Sequence, residues 1–156
     1  MRRYAMLCCV AAFAGCAKSD TPPADTTSAV ATPPPAPAPI ALADVAGKWN
    51  VTGKNEAGDS TLVTYILTAT ADTTGWSIKF PDRTKTVPVH VVAVAGDSVV
   101  IHAGPYPSVL RKGVQVTTTG AFRLQDGKMV GLTKAHYNVK TADSVRMVRS
   151  EGTRAP

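Results

Sequence analysis

The segment VQVTTTGAFRLQDGKMVGLTKAHY, residues 114–137, is the stretch whose reading decides the fold. At its centre, Asp126-Gly127 suits a type I′ two-residue turn, because both central positions of that turn need positive φ. A two-residue loop sets Gln125 opposite Lys128, Leu124 opposite Met129, Phe122 opposite Gly131, Gly120 opposite Thr133, Thr118 opposite Ala135 and Val116 opposite Tyr137. One face then carries Val114, Val116, Phe122, Leu124, Met129, Tyr137 and Val139, with small residues in its middle. The other carries Gln115, Thr117, Thr119, Arg123, Lys134, His136, Asn138 and Lys140, broken only by Val130 and Leu132. Such alternation predicts antiparallel strands with one face to a core and one to water.

The same texture runs from Asp44 to the end. Val- and Thr-rich runs alternate with turn clusters at Asn55–Ser60, Asp72–Gly75, Pro81–Arg83, Gly96-Asp97, Gly104–Gly113, Asp126-Gly127 and Thr141–Asp143. Seven turns imply eight strands, and no segment has a helical apolar stripe. The expectation is an all-β domain over 44–156, an up-and-down meander closed as a barrel, with a β-sandwich as the alternative. Trp76, Ile78 and Phe80 share one face of a strand, while Val87–Val94 is apolar on both faces. In the last strand Val145, Met147 and Arg149 are expected inside, with Arg146 and Ser150 outside.

Ahead of this domain lie two segments of other kinds. Met1-Arg-Arg-Tyr4 is a cationic start, and Ala5–Phe13 is an apolar run far short of the roughly 20 residues a membrane span needs. Charge, short apolar core and small residues before a cut site make a secretory signal over 1–15. The ending Phe13-Ala14-Gly15-Cys16 resembles the bacterial lipobox, whose Cys is lipidated and becomes the first residue. The alternative is ordinary cleavage after Ala12-Phe13-Ala14. The resemblance implies a diacylglycerol thioether on Cys16, acyl chains such as palmitate as the membrane partner, and, with Ala17 rather than Asp following, an outer-membrane address facing periplasm or surface. Of the three cysteines, Cys8 and Cys9 fall in the discarded segment, so the exported chain would keep no free thiol. Residues 16–43, rich in Pro, Thr and Ala, read as a disordered linker. In polyproline II form it would reach roughly 80 Å.

Gly47-Lys48-Trp49, opening the first of eight strands, resembles the Gly-x-Trp that begins lipocalins and their calycin relatives. In that superfamily the Trp closes one barrel end and an Arg of the final strand packs across it. The resemblance implies that Trp49 and Arg149 take these places. That the barrel holds a small apolar or amphipathic ligand is read instead from the small residues of its inner face, which would leave room, unless Trp49, Trp76, Phe80 and Tyr65 fill it. Thr118, Gly120, Thr133, Ala135 and Tyr137, together with Gly131, would line the space.

Acid–base chemistry needs sheltered carboxylates. Six of the nine from Asp44 onward fall in turns (Asp59, Asp72, Asp82, Asp97, Asp126, Asp143), and none falls on an inner strand face. A two-residue turn at Gly96-Asp97 pairs His90 with Ala103 and His102 with Val91, so the two imidazoles should point to opposite faces. His136 falls outside. With no nucleophile elbow and no phosphate loop either, the sequence predicts no catalytic set, no metal and no cofactor. Fourteen basic and nine acidic residues from Asp44 on leave +5, the chain's remaining charges being Arg2, Arg3, Lys18, Asp20 and Asp25. The cations are spread over nearly every strand, where nucleic-acid binding wants a patch or stripe. The loop 104–113 offers Tyr106 and Leu110 beside Arg111 and Lys112, as a plug for the barrel mouth or a contact for an envelope protein. Two functions follow: ligand binding inside the barrel, or a structural or interaction module whose barrel is filled. Enclosed volume decides between them.

Overall fold

The structure, a computed structural model, describes residues 39–156. The signal segment, Cys16 and most of the linker lie outside the described residues. The elements are α1 (Leu42–Val45), β1 (Gly47–Lys54), β2 (Thr61–Ala69), β3 (Ser77–Lys79), β4 (Val87–Ala95), β5 (Ser98–Pro107), β6 (Gln115–Gln125), β7 (Lys128–Tyr137) and β8 (Val145–Arg154). The eight strands pair antiparallel in chain order, and β8 pairs back onto β1, so the barrel is closed. A β-sandwich is thereby excluded.

The β6–β7 hairpin has the register read from sequence, from Val116↔Tyr137 to Gln125↔Lys128. Asp126 and Gly127 both have positive φ, 51° and 74°, as a type I′ turn requires. Inward residues include Val51, Leu67, Ile78, Phe80, Val99, Ile101, Phe122, Met129 and Tyr137, all buried in one core.

Packing begins ahead of the expected boundary at Asp44. The Ile40 N–H donates to Gly96 O at 2.9 Å, and Ile40 and Leu42 pack against the core. Val45, 1% exposed, reaches into the barrel end, and its carbonyl accepts a bond from Trp49 Nε1 at 2.8 Å. Helix α1 therefore seals that end.

Three expectations are corrected. First, the inner face of β8 is Val148, Ser150 and Gly152, not Val145, Met147 and Arg149. The ladder to β7 dictates this, because Gly152, Ser150 and Val148 lie opposite Met129, Gly131 and Thr133, which face in. Second, Arg154 rather than Arg149 packs over Trp49, with its guanidinium carbon 4.5 Å from the ring centroid. Arg154 also donates to Ala46 O at 2.8 Å and Asp44 O at 2.7 Å, clipping α1 to the last strand. Arg149 pairs with Lys54 five residues up the ladder and is exposed. Gly47 serves the same clip: its φ is +129°, and a Cβ there would lie 2.9 Å from Arg154 Nη1. Third, His90 lies directly opposite His102. The Gly96-Asp97 turn has two residues, but the pairing shifts between Val91 and Ala93, where Val92 is the extra residue of a bulge.

Candidate functional site

At the end of the barrel away from α1, Tyr65, Phe80, Tyr106, Phe122, Tyr137 and Ser150 converge around a cavity of about 60 Å³ that is partly open to the outside. Tyr65 and Phe80 pack at 5.9 Å between centroids and Phe80 and Tyr106 at 5.8 Å, both tilted, so β2, the residue after β3, and β5 contribute one aromatic row. Ordinary ligand pockets span roughly 300–1,000 Å³. A volume of about 60 Å³ suits a few water molecules, each needing about 10–15 Å³ of probe-occupied space.

The five residues expected to line a ligand space, Thr118, Gly120, Thr133, Ala135 and Tyr137, do line this cavity. Their small size does not make it large. A Cβ at Gly131 would strike Ala121 O and the Phe122 ring, and one at Gly120 would strike the same ring and come within 3.0 Å of Thr133 Oγ1. These glycines seat Phe122, which lies directly opposite Gly131 and is 4% exposed. The gap read from sequence is the footprint of an aromatic ring, an arrangement known to stabilise strand glycines.

The polar atoms at the cavity are hydroxyls. Thr133 Oγ1 and Ser150 Oγ lie 3.3 Å apart. Burial pushes the Tyr65 hydroxyl well above its ordinary pKa against the opposing Ser150 hydroxyl, and pushes Tyr106 up likewise against Thr118. Neutral hydroxyls can hold a water or a polar ligand atom, but the lining supplies no carboxylate or imidazole to take a proton from them. Sequence reasoning placed Tyr65 and Phe80 among the side chains that could fill the interior, where they are found, but missed Ser108 in this lining and put Ser150 outside.

The mouth is covered by the turn after β5. Strand β5 runs to Pro107, so the loop is shorter than the 104–113 expected, and Ser108 N–H closes it onto Val114 O at 2.7 Å. Ser108 Oγ accepts from the Leu110 and Arg111 N–H groups, each at 3.0 Å. Tyr106 points into the core, and Leu110 and Val109 border the cavity, so this side of the loop is a plug. Arg111, expected to meet a partner, is instead turned inward on the molecule. It lies 4.3 Å over the Tyr137 ring and 2.7 Å from Asp143 Oδ2, latching the β5–β6 turn to the β7–β8 turn. Lys112 is exposed.

The hydrogen bond from Thr141, then the Arg111 guanidinium, hold the Asp143 carboxyl below its ordinary pKa. A lowered folded-state pKa means the latch contributes above the unfolded value and is lost as pH falls through the folded one, here below 3.8. The side-chain NMR resonances of Arg111, shifted by the Tyr137 ring at pH 7, are expected to move to exposed-arginine positions below that pH, and at pH 7 in Asp143→Ala. Shifts unchanged in both cases would refute the latch.

His90 and His102 face each other on the outer surface, with His102 Nδ1 3.2 Å from Thr119 Oγ1. Two imidazoles are short of the three or four ligands of a zinc site. Among the described residues no three of His, Cys, Asp or Glu come together.

No family model, curated protein or solved structure matches the chain.

Proposed function

We propose that the chain is a lipid-anchored envelope protein whose barrel works as a filled, non-catalytic interaction module, carried on the 16–43 linker from acylated Cys16. The observation behind the second half is the cavity of about 60 Å³, several-fold below the range of ligand pockets. Phe122 occupies the place that a lipocalin-like ligand would need, and Tyr106 with Leu110 plugs the entrance. These features count against the barrel as a carrier. With the interior filled, recognition falls to the outer surface.

The anchor rests on Phe13-Ala14-Gly15-Cys16 with its preceding charge and apolar run. Two or more acyl chains give stable attachment where one gives only marginal binding. Ala17 supports the outer membrane as destination.

Native purification from membranes followed by intact mass spectrometry tests both halves. The expected result is a chain beginning at Cys16 with the added mass of two or three acyl chains and no stoichiometric small molecule. An unacylated chain in the soluble fraction would overturn the anchor. A ligand present at one per chain would overturn the filled module and restore the carrier reading.

A further inference from the structure

The outer surface of the barrel is not uniformly polar. Following the ladders across it, Ala93, Val100, Ala121 and Leu132 lie side by side on β4, β5, β6 and β7. The same row continues to Arg149 on β8 and Lys54 on β1. Four aliphatic positions thus end in two cations. At a strand spacing of about 4.8 Å, the apolar part covers about 14 Å.

The cationic end of this row is an open groove of about 620 Å³. Ala121, Val130 and Leu132 form its floor, and Lys54, Arg123 and Arg149 its walls. Leu132 is 45% exposed, high for a leucine on a sheet that has no covering layer there. Arg123 lies opposite Val130 and Arg149 opposite Leu132, so the two guanidinium groups flank the floor diagonally from strands on either side of β7.

Their charge is uncompensated. The groove's single carboxylate, Glu151, is engaged by Lys128 at 2.6 Å and by Lys54 at 4.0 Å. Arg123 has only the neutral Gln125 Oε1 at 3.4 Å, and among the described residues Arg149 forms no salt bridge. Guanidinium forks match phosphate oxygens in a bidentate way, and the adjoining aliphatic floor offers nothing to a polar ligand. An amphiphile with a phosphate head satisfies both.

We propose that this groove binds an anionic phospholipid of a membrane surface, its phosphate between Arg123 and Arg149 and the start of its acyl chain along Leu132 and Ala121. An acidic peptide fits less well, since β6, β7 and β8, which carry the groove, are each paired on both sides and offer no edge there to an extended chain, and main-chain pairing supplies most of the affinity in that mode. The site extends the reading given under Proposed function but stands on its own geometry, independent of Cys16.

The test uses the chain from Ala17 onward, which retains the complete barrel and lacks the anchoring cysteine. The barrel's strands and core all lie within Val45–Arg154, so this form folds without the segment removed. Co-sedimentation with vesicles of phosphatidylcholine containing one-third phosphatidylglycerol is expected to exceed that with pure phosphatidylcholine. Replacing Arg123→Gln and Arg149→Gln together should weaken binding roughly thirtyfold, at about fivefold per charge near an anionic surface. Lys79→Gln with Lys85→Gln removes the same charge from the β3 side, diametrically opposite β7, and should change binding less than about twofold. Leu132→Ser, which leaves charge untouched, should weaken it as well. All five positions are exposed, and unchanged thermal melts check that folding is intact. Equal losses for the two charge pairs, no preference for phosphatidylglycerol, or equally tight binding of glycerol phosphate or poly-glutamate would each overturn the proposal.

Discussion

Phe122→Ala is expected to cost about 3–5 kcal/mol in urea unfolding, the range for deleting a buried phenyl ring. The ring is 4% exposed and rests on Gly120 and Gly131. Neighbouring strands are locked in a closed barrel, so they cannot collapse into the space, which favours the upper part of that range. The void left behind joins the existing cavity of about 60 Å³. Benzene is then expected to raise the melting temperature of the variant in a concentration-dependent way and to leave the parent protein unmoved, since stabilisation by a ligand follows its occupancy of the folded state alone. A cost under about 1 kcal/mol, or an equal benzene response in the parent, would mean that Phe122 does not fill the interior.

Trp49→Ala should be of the same size, about 3–5 kcal/mol, for a side chain with no exposure at the sealed end. It removes the bond to Val45 O and the platform under Arg154 together. Arg154→Ala isolates the smaller part. Loss of a cation–π contact and two backbone hydrogen bonds is expected to cost about 1–2 kcal/mol. Arg149→Ala, an exposed position, should fall within about 0.5 kcal/mol of the parent. Comparable losses from Arg149→Ala and Arg154→Ala would reverse the assignment of the clip.

The β6–β7 hairpin was legible because two independent signals agree there. Asp126-Gly127 fixes the loop at two residues, and a two-residue loop leaves one register, in which the apolar residues fall on one side. Strand β8 lacks such agreement. Its outward set, Val145 and Met147, is as apolar as its inward set, Val148, Ser150 and Gly152, so composition points to the wrong face. Gly152 has no room for a side chain because Val51 and Met129, its partners on β1 and β7, crowd it from both sides, a constraint only the closed barrel contains. The Gly-x-Trp opening correctly called for a final-strand arginine. The strand simply runs on to Arg154, so counting to Arg149 stopped short. The His90–His102 pairing was hidden by the Val92 bulge. A run apolar on both faces, such as Val87–Val94, gives no alternation from which a one-residue slip could be read. The small residues that border the cavity were legible while the room they leave was not, because small side chains in a strand mean either an opening or a seat, and the ring that takes the seat is two residues away.

The seal made by α1 also settles how the barrel bears tension. The chain enters at Ile40 beside the Gly96 turn, and the first and last strands meet at that same end through Trp49, Arg154 and the carbonyls of Asp44 and Ala46. A pull arriving along the polypeptide from the N-terminal side would meet this cross-braced corner before it reached the first strand. Arg154 on the last strand holds the carbonyls just ahead of the first, so load there would fall on the two strands that close the ring together. The corner that looks like a stopper for the core is, mechanically, the protein's strain relief.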